Sequence, residues 1–563
     1  MSTSILTSRP RVPGNFAPES TAAETGPTAA PLPTFSNDQI ASFLSSGYWG
    51  GIDYHWNLGN SGTAPQGGVL TYNVSGLSAA RAGIADRAFT LYETVLGIDF
   101  VKTTGTADIT VDDSDPGTAY ETHSAIGSVI TSAFVNVSAD WSGGGSTVGD
   151  YVFQTFLHEI GHALGLGHAG NYNGSANYVT DTTDPNYGNN SNHYLNDSWQ
   201  ASIMSYFDQI ENTKVDASGA YLISPMVADW IALGNKYGIS STAFSGNTTW
   251  GFNTNITSTI FANLATYANH TAFTIIDSGG TDTVDFSGFS ANQRVNLNAE
   301  SISDVGGLTG NMIIARGSVI ENAVTGAGSD VLTGNSVNNT LNAGAGADSV
   351  NAGIGNDIVL DTDAINFDAY NGGNGSDTIN YSAVTFSGAN FVTLNLGTGL
   401  ASISGGNSET IASFENIVGS KGGETIIGTT GANVIRGAGG RDIMIGGAGN
   451  DRFDFDLIAD SKVGNAVCDV LQAGGGSNAA FDLPGAGNGD RIDVSTIDAN
   501  TGASGDQTFI FGGTGAGHIR CINSGTTTQV LAYVNGDSTA DFQLNIQDGN
   551  VLASAYTAAD FIL

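Results

Sequence analysis

A nine-residue repeat governs the middle of this chain and restricts its possible folds more than any other feature. Four copies follow one another from residue 325: TGAGSDVLT, GNSVNNTLN, AGAGADSVN and AGIGNDIVL. A separate copy, GGNGSDTIN, starts at Gly372, and a second array starts at Gly419 with GSKGGETII, GTTGANVIR, GAGGRDIMI and GGAGNDRFD. Repeats with a glycine-rich half and an apolar half predict a solenoid of stacked turns, in which each apolar half is a short parallel strand.

Each repeat ends its glycine-rich half with an oxygen-bearing side chain, and these are Asp330, Asn339, Asp348, Asp357, Asp377, Glu424, Asn433, Asp442 and Asp451. If two repeats make one full turn, equivalent residues two repeats apart stack, which pairs Asp330 with Asp348 and Asn339 with Asp357. Carboxylate, amide and carbonyl oxygens are hard ligands that suit Ca²⁺. The turn glycines near such sites are Gly326, Gly328, Gly344, Gly346, Gly353, Gly355, Gly373, Gly375, Gly440 and Gly449.

The apolar residue two places beyond each oxygen ligand is expected to point inward, at Leu332, Leu341, Val350, Val359, Ile379, Ile426, Ile435, Met444 and Phe453. Asn339 and Asn433 bring no charge, which makes calcium at those two turns less certain than elsewhere. A metal-free solenoid rich in glycine and asparagine is the alternative, but its stacked carboxylates would repel one another.

The charge balance also favours a cation as partner. The chain has 16 Lys and Arg against 53 Asp and Glu, a formal net charge of -37. This balance argues against nucleic acids and anionic membrane surfaces as partners, because both need cationic contacts. No apolar run is long enough for membrane insertion, and the N-terminus lacks the pattern of a cleavable signal peptide. Cys468 and Cys521 could form one disulfide or remain two free thiols.

A mixed α/β unit is expected over residues 35–240. SAARAGIADRAFTLYETVLG, YVFQTFLHEIGHALG and SPMVADWIALGNKYG have helical spacing, and the last of these places Ser224 and Pro225 at cap and first-turn positions. DFVKTTGTADITVDD and SVITSAFVNVS read as strands. A long loop, residues 171–198, separates the second helix from the third.

The stretch HEIGHALGLGH at 158–168 carries the chemistry of that unit. His158 and His162 lie one helical turn apart, so that both imidazoles can bind one ion. Gly165 can leave the helix with a positive φ and turn the chain so that His168 becomes a third ligand. Three histidine ligands leave one position of a tetrahedral zinc site open. Incidental histidines on a helix are the alternative, which the added Gly165 and His168 make remote.

Downstream, SIMSYF at 202–207 places Met204 and Tyr206 beyond the histidines. The extended motif H-E-x-x-H-x-x-G-x-x-H followed by a methionine turn resembles the metzincin peptidases. Together with the nonapeptide repeats and the helix after SIMSY, it resembles the serralysins, secreted bacterial metzincins with RTX repeats. The resemblance runs from about Gly47 to Leu563.

This resemblance implies a zinc-dependent endopeptidase acting on protein or peptide substrates. It implies His158, His162 and His168 as zinc ligands, Met204 as the apolar floor of the site, Glu159 as general base, and Tyr206 as a resting zinc ligand that swings to stabilise the tetrahedral intermediate. An extended substrate is expected to add to a sheet edge, for which VITSAFVNVS, residues 129–138, is the candidate strand.

The resemblance also implies calcium sites where the protease joins the roll, with ligands at Phe244, Gly246, Thr248, Asp277, Gly279, Gly280, Asp282 and Glu321. It implies a secreted, extracellular monomer exported by a type I secretion apparatus that reads an uncleaved C-terminal signal, for which the terminal ADFIL is the candidate. A small protein inhibitor is a further partner that the family suggests.

The fold class expected overall is multidomain α+β. Its predicted parts are a flexible leader at 1–34, a metzincin-like α/β zinc protease domain at 35–240, a calcium-binding parallel β-roll at 241–460 and a β-rich C-terminal secretion domain at 461–563. Two other functions stay open: a calcium-binding surface or adhesive protein with a vestigial peptidase, and a processing protease dedicated to one surface protein.

Overall fold

The computed structural model describes residues 30–58, 68–188, 190–363, 365, 367–386, 392–474 and 479–563. Residues 1–29 of the predicted leader lie outside this part of the chain. The chain divides into two compact units. The first unit runs to Phe286 and includes Gln293–Ile320, and the second comprises Ser287–Asn292 and Glu321–Leu563. Among the described residues, no helix is both long and apolar enough to cross a membrane.

A six-stranded sheet organises the first unit. Its strands are His55–Trp56, Val69–Asn73, Asp99–Lys102, Ile109–Asp112, Ala119–Ile126 and Val129–Val137. Val129–Val137 is an internal strand, parallel to Ile109–Asp112 on one side and antiparallel to Ala119–Ile126 on the other. Within the described part of the chain, Ala119–Ile126 pairs with no other strand of the sheet, so it forms an edge. The expectation that 129–138 forms the edge is therefore wrong, because the residues before it double back as a hairpin and cover it.

Three longer helices accompany this sheet: Ala79–Leu96, Tyr151–Ala163 and Val227–Tyr237. The first two begin with ordinary side-chain caps, since the Ser78 hydroxyl accepts from Arg81 N–H and the Asp150 carboxylate accepts from Phe153 N–H. Shorter helical segments are Asn37–Ser42, Phe43–Gly47, Trp141–Gly143, Ile260–Asn263 and Leu264–Tyr267.

The start of the third helix differs from the sequence expectation. It begins at Val227, after Met226 as N-cap, and not at Ser224 and Pro225. The Asp229 carboxylate accepts from Met226 N–H at 2.8 Å and so caps the helix from within its own first turn. The Ser224 hydroxyl is used elsewhere, accepting from Thr274 N–H at 2.8 Å.

The rest of the first unit is built from short strands, which are Tyr221–Leu222, Thr249–Gly251, Thr271–Ile275, Thr283–Asp285, Arg294–Asn296, Ile302–Ser303 and Met312–Ile314. Thr271–Ile275 is an inner strand of a four-stranded sheet with Tyr221–Leu222, Met312–Ile314 and Ile302–Ser303. Every residue of this inner strand is buried.

In the second unit the nonapeptides form two parallel ladders, as the repeat predicts. Val331 pairs with Ser349, and Thr340 pairs with Ile358, so each strand pairs with the strand two repeats further along the chain. All nine apolar residues expected to point inward are at most 2% exposed. The apolar core is therefore a thin double row of side chains between the ladders, as in a parallel β-roll.

The strands of the first ladder in this unit are Asn322–Val324, Thr340–Asn342, Ile358–Leu360, Thr378–Asn380, Asn416–Val418, Val434–Arg436, Arg452–Asp454, Arg491–Asp493 and Phe561–Ile562. Those of the second are Val331–Thr333, Ser349–Asn351, Ala369–Asn371, Val392–Asn395, Leu400–Ile403, Ser408–Ala412, Glu424–Ile427, Ile443–Ile445, Asp469–Leu471, Ile510–Phe511, His518–Ser524, Thr527–Tyr533 and Phe542–Ile546. Short helical segments lie at Ile458–Asp460, Ala553–Ala555 and Ala558–Asp560.

An antiparallel insert separates the two repeat arrays. We call it the hairpin insert, and it comprises the strands Val392–Asn395, Leu400–Ile403 and Ser408–Ala412. Ser408–Ala412 pairs in parallel with Ala369–Asn371, and Val392–Asn395 pairs in parallel with Glu424–Ile427. The insert thus continues the second ladder from one array to the next.

The C-terminal part of the chain, from about residue 461, is β-rich, as expected. Antiparallel strands Thr527–Tyr533 and Phe542–Ile546 extend the second ladder, and Phe561–Ile562 pairs in parallel with Arg491–Asp493 at the end of the first. Cys468 is buried and Cys521 is partly exposed, and both are free thiols.

Candidate functional site

The three histidines of the 158–168 motif converge on one point. His162 Nε2 lies 3.1 Å from His158 Nε2 and 3.0 Å from His168 Nε2. Tetrahedral ligands at a Zn–N distance of ~2.0–2.1 Å lie roughly 3.3 Å apart, so the spacing fits a single zinc ion. The opposite nitrogens of two rings point at carbonyls: His158 Nδ1 lies 2.8 Å from Ile203 O, and His162 Nδ1 lies 2.7 Å from Leu166 O. Donation there leaves the Nε2 lone pairs free to bind a metal.

Burial at this site favours the neutral form of the three imidazoles and disfavours the ionised form of the Glu159 carboxyl. Burial lowers the pKa of His158 to about 4 and, with the neighbouring imidazoles, holds the pKa values of His162 and His168 well below their usual range. Burial, and secondarily the charge of Glu121 on the edge strand, raises the pKa of Glu159 well above its ordinary value. Neutral imidazoles are the form that binds a metal.

Gly165 makes the return of His168 possible. Its φ is +90°, and a Cβ at this position would lie 2.1 Å from the Tyr54 carbonyl oxygen. The helix ends at Ala163, and the chain turns at Gly165 so that the His168 ring stands edge-on to that of His162, with ring centroids 4.5 Å apart. The role predicted for Gly165 matches this geometry.

Met204 lies beneath the histidine helix as expected. Its side chain is fully buried, and a Cβ at Gly161 would lie 3.1 Å from the Met204 sulfur. The backbone of this turn is held by Asp229, which sequence reasoning missed. Asp229 accepts from Ser202 Oγ at 2.6 Å and from Ile203 N–H at 2.7 Å. In the sequence, Asp229 can be recognised as an acidic residue in the first turn of the third helix, within ADW. Nothing in the sequence indicates that it also contacts the distant methionine turn.

Tyr206 lies next to the histidines. Its ring centroid is 4.6 Å from that of His168 and 6.3 Å from that of His158. The hydroxyl accepts a hydrogen bond from Gly174 N–H at 3.3 Å, in the long loop after the motif. Burial raises the pKa of the Tyr206 phenol, so the group is a hydrogen-bond donor at neutral pH.

A cleft of about 330 Å³ opens beside His158 and Glu159. Aromatic side chains form much of its wall: Trp141, Tyr151, Trp199, Tyr206 and Tyr221. Ala119 brings the edge strand to its rim, and Gly174 to Asn177 bring the long loop. The cleft therefore combines the candidate metal ligand His158, the candidate base Glu159 and an available strand edge.

The expected junction ligands of the first unit also assemble. Thr248 N–H donates to Asp282 Oδ1 at 2.7 Å, and the Thr248 hydroxyl lies 3.1 Å from Phe244 O and 2.9 Å from Gly246 O. Gly279 N–H donates to Asp277 Oδ1, whereas the buried Asp277 Oδ2 has no hydrogen-bond partner among the described residues. Burial raises the pKa of Asp277 to about 7.

The expected junction set also includes Gly280 and Glu321. A Cβ at Gly280 would lie 2.4 Å from Gly246 O, so these two loops run in close contact. Glu321 belongs to the second unit, where its carbonyl accepts from Thr340 N–H and Asn339 Nδ2. The carboxylates and carbonyls of the first unit form an oxygen-only set that fits Ca²⁺.

In the roll, the oxygen ligands stack in rows joined by a repeated contact. Asp330 N–H donates to Asp348 Oδ1 at 2.7 Å, and Asn339 N–H donates to Asp357 Oδ1 at 2.7 Å. The predicted pairing of residues two repeats apart is therefore present. Turns also touch closely, since a Cβ at Gly346 would lie 1.9 Å from Gly328 O. The same stacking repeats at Glu424 with Asp442 and at Asn433 with Asp451.

The rows extend beyond the nonapeptides to residues that sequence reasoning missed. The row acceptors found only in the structure are Asp368, Glu415, Asp469 and Asp490, which accept from the backbone N–H of Asp348, Asp377, Asp442 and Asp451 respectively. Loops of unequal length separate the members, so no fixed period in the sequence marks them.

Buried oxygens without partners indicate where cations fit. Within the described ranges, the second carboxylate oxygens of Asp348, Asp357, Asp377, Asp442, Asp451 and Asp469 are buried with no hydrogen-bond partner. Burial raises the pKa of Asp357 and of Asp451 to about 6. Orphaned buried carboxylate oxygens are costly unless a cation meets them, so these turns fit the calcium expected of them.

Three of the predicted calcium ligands form hydrogen bonds with other groups of the protein in place of a cation. Asn339 Nδ2 donates to Glu321 O at 3.0 Å, and Asn433 Nδ2 donates to Glu415 O at 2.6 Å. Each amide thus takes the place that a cation would fill beside a carbonyl. Both Glu424 oxygens accept from Ser420, which fixes that carboxylate locally.

Three protein-family models match parts of the chain. The family described as peptidase M10 serralysin C terminal matches residues 240–393, and the RTX calcium-binding nonapeptide repeat matches residues 418–453. The peptidase M66 family matches residues 132–230, which contain the histidine motif and the methionine turn.

Individual relatives point to the same group. Serralysin of Photorhabdus luminescens is 46% identical over 194 residues, and serralysin C of Dickeya chrysanthemi is 48% identical over 183 residues. The chain is a relative of the serralysins and carries RTX repeats. The matches cover 34% and 32% of this chain and 38% and 36% of these two serralysins, so the chain spans less than two-fifths of the length of the curated relatives it matches.

One similar solved structure is the AlgE6R3 subunit of the Azotobacter vinelandii mannuronan C5-epimerase. It is 22% identical and covers 26% of this serralysin relative and 76% of its own chain, with a TM-score of 0.16. At that TM-score the likeness carries no weight for the fold.

Proposed function

We propose that this chain is a secreted zinc-dependent endopeptidase whose RTX roll is stabilised by calcium. The observation that carries the proposal is the convergence of three imidazole Nε2 atoms, one of which belongs to His158, a residue that lines a cleft together with Glu159. Serralysins at 46–48% identity support the same activity. The N-terminal unit is then a metzincin-like protease domain.

His158, His162 and His168 would hold the zinc, which, when bound, polarises the scissile carbonyl and lowers the pKa of a water molecule toward ~7. Glu159 is the general base that accepts a proton and then donates it to the leaving amine. Its burial suits both roles, because a raised pKa makes the carboxylate a better proton acceptor and keeps the acid form accessible.

Tyr206 is the second catalytic group of the proposal. Its hydroxyl is held by Gly174 N–H, and its ring packs against His168. From this position a rotation of the side chain could bring the phenol to the reacting carbonyl, where it would donate a hydrogen bond to the developing oxyanion. In the resting enzyme the same hydroxyl is a candidate fourth ligand of the zinc.

Substrate would bind as an extended strand. Ala119–Ile126 is antiparallel to Val129–Val137 on one side, and its other edge borders the cleft through Ala119. A peptide could add to that edge through its backbone and place one side chain between Trp141, Trp199 and Tyr221. Large apolar side chains on the substrate would match this wall.

The remaining parts follow from the same family. We assign residues 1–34 to a leader, 35–240 to the protease, 241–460 to the roll and 461–563 to a C-terminal secretion domain. We infer export by a type I secretion apparatus, folding of the roll in extracellular calcium, a monomeric enzyme, and a small protein inhibitor as partner. Nucleic acid and membrane insertion have no place in this proposal.

The two alternatives are weaker. A vestigial peptidase within an adhesive protein would have no need to keep three histidines, a buried glutamate, the methionine turn and Tyr206 assembled around one cleft. A dedicated processing protease is favoured by one observation, since the loop residues Gly174 to Asn177 form part of the cleft wall and could restrict which substrates enter. Cleavage of a peptide library separates broad from restricted specificity.

Glu159→Gln in the full chain tests the activity. It should retain zinc and thermal stability and lose at least ~10²-fold in the rate of casein cleavage, as expected for a general base. Asp216→Asn, which neutralises an exposed carboxylate, is the matched control and should cleave at the wild-type rate. Wild-type activity in Glu159→Gln would overturn the proposed mechanism.

A further inference from the structure

A buried acidic cluster lies in the second unit outside the nonapeptide copies. It consists of Asp361, Asp368 and Glu409, each at most 2% exposed. One carboxylate oxygen from each lies within 4.8 Å of those of the other two. Nothing in the repeat pattern predicts this cluster, because its members come from an irregular turn and from the hairpin insert.

The ladder pairing brings the three residues together. Asp368 precedes the strand Ala369–Asn371, and Glu409 lies in Ser408–Ala412, which pairs with it in parallel. Thr410 N–H donates to Asp368 O at 3.0 Å and fixes Glu409 beside Asp368. Asp361 directly follows Ile358–Leu360, and its own N–H donates to Asn380 O at 3.0 Å.

Asp361 has an oxygen that the described part of the protein does not satisfy. Its side chain is 1% exposed, Oδ1 accepts from Asp363 N–H at 3.0 Å, and Oδ2 is buried with no hydrogen-bond partner there. The charges that act on it are those of Glu409, Asp363 and Asp368, all acidic. A buried carboxylate oxygen without a partner is costly, and a cation bound among the three acidic groups would offset that cost.

Two tyrosines hold the other carboxylates in place. Tyr370 hydroxyl donates to Asp368 Oδ2 at 3.1 Å, and Tyr381 hydroxyl donates to Glu409 Oε2 at 3.0 Å. Asp368 Oδ1 also accepts from Asp348 N–H at 2.7 Å. Because each carboxylate oxygen has two lone pairs, these bonds orient the groups and still leave acceptor capacity for an ion.

We propose that Asp361, Asp368 and Glu409 bind one calcium ion that fastens the hairpin insert to the preceding turn of the roll. Ligands at ~2.3–2.6 Å from one Ca²⁺ can lie up to about 5 Å apart, so three carboxylate oxygens within 4.8 Å of one another can bind a common ion. Mg²⁺ is disfavoured because it demands near-ideal octahedral geometry and keeps several of its waters. Zn²⁺ is disfavoured because the cluster offers neither nitrogen nor sulfur.

This site differs from the nonapeptide sites in what it joins. Its three ligands are all side chains, and Glu409 belongs to the hairpin insert between the two arrays. The ion would therefore link the first array to the segment that leads into the second. The proposal concerns this link alone and does not depend on peptidase activity.

The test compares Asp361→Asn and Glu409→Gln with Asp506→Asn, a surface charge control of the second unit. Calcium content is measured on the full chain after gel filtration in a fixed excess of free calcium. Each cluster variant should bind one ion fewer than the wild type, and the control should bind the full number. Hydrogen exchange should accelerate in Leu400–Ile403 and Ser408–Ala412 while Val434–Arg436 and Ile443–Ile445 stay protected. Unchanged content and unchanged exchange in both variants would overturn the proposal.

A measurement on the wild type covers the case in which a variant does not fold. Crystals of the unaltered chain grown with calcium should give an anomalous difference peak between Asp361, Asp368 and Glu409. Peaks in the nonapeptide turns without one at this cluster would show that the proposal is wrong.

Discussion

The Asp229 carboxylate accepts a hydrogen bond from the backbone N–H of Ile203 at 2.7 Å, and the Ile203 carbonyl lies 2.8 Å from Nδ1 of the candidate zinc ligand His158. One buried acid on the third helix therefore sets the position of the methionine turn and, through one residue of that turn, the orientation of an imidazole. It also caps its own helix at Met226. The candidate zinc site thus depends on a residue that acts through the backbone of the methionine turn.

Asp229→Asn tests this dependence. The single oxygen of the amide can keep both backbone bonds, but its NH2 group then faces the Ser202 hydroxyl, which now donates to Asp229 Oδ1. The bond that holds Ser202 is therefore lost, and the turn should shift. Loss of a partner that orients a metal ligand lowers metal affinity by ~10–100-fold, and we expect that decrease. Zinc affinity is measured by competition with a chromogenic chelator. Asp216→Asn is the charge-matched control, and equal affinities in the two variants would contradict the prediction.

Gly165→Ala should remove the third histidine from the site. The substitution places a methyl group 2.1 Å from Tyr54 O at a φ of +90°, so both sterics and backbone strain oppose it. We expect loss of roughly 2 kcal/mol or more in the free energy of unfolding of the first unit, together with lost zinc binding. Urea denaturation gives the free energy.

Gly83→Ala is the matched control for Gly165→Ala. Gly83 lies inside the helix Ala79–Leu96, and a Cβ there would meet no atom within 4 Å. Alanine is favoured over glycine in a helix interior by ~0.5–1 kcal/mol, so this variant should be slightly more stable than the wild type. If both variants lost similar stability, the special role of Gly165 would be wrong.

Asn433→Asp should make the roll more dependent on calcium. The amide Nδ2 donates to Glu415 O at 2.6 Å, and a carboxylate would repel that carbonyl unless a cation lay between them. Without calcium we expect a loss of about 1–3 kcal/mol in stability, recovered at millimolar calcium. Calcium-dependent circular dichroism gives the midpoint of folding, with the exposed Asn488→Asp as control. A midpoint identical to that of the control would argue against a substitute role for the amide.

The calcium-free roll should lose stability as the pH rises. Burial raises the pKa of Asp357 and Asp451 to about 6 and that of Asp490 to about 7, against ~3.9 in an unfolded chain. A raised folded-state pKa contributes stability that is present below ~4 and disappears as the pH passes through 6–7. The melting temperature of the calcium-depleted chain should therefore fall from pH 4.5 to pH 7.5. With saturating calcium this fall should vanish, since ionised carboxylates bind the ion. A calcium-free melting temperature that rose over this range would refute the prediction.

Much of the site could be predicted from sequence because the relevant contacts are local or periodic. His158, His162, Gly165 and His168 all lie within the single stretch HEIGHALGLGH, so one helix and the turn after it bring them together. Asp330 and Asp348 are separated by two nonapeptides, and a regular solenoid turns that spacing into contact. The inward apolar residues follow from the same period.

The sequence predictions failed where the local structure is decided by contacts with segments that are distant along the chain. The two strands of residues 119–137 are joined by a hairpin, and only the rest of the sheet decides which of them becomes the edge. Ser224 and Pro225 have the composition of a helix start, but Asp229 caps the helix at Met226 instead. Asp377 meets Glu415 far along the chain because the hairpin insert lies between them, and the length of an insert cannot be read from the period of the repeats.

The short strand Phe561–Ile562 affects how readily one molecule can associate with another through its sheet edge. A ladder that repeats every two nonapeptides ends in an edge strand, and the unpaired backbone groups of that strand can pair with a similar edge of another molecule. Phe561–Ile562 occupies that edge beside Arg491–Asp493, with Val494 N–H donating to Ile562 O and the Arg491 guanidinium to Phe561 O. Because this edge strand is only two residues long, it offers few open backbone groups, which limits the joining of one roll to the next in a filament.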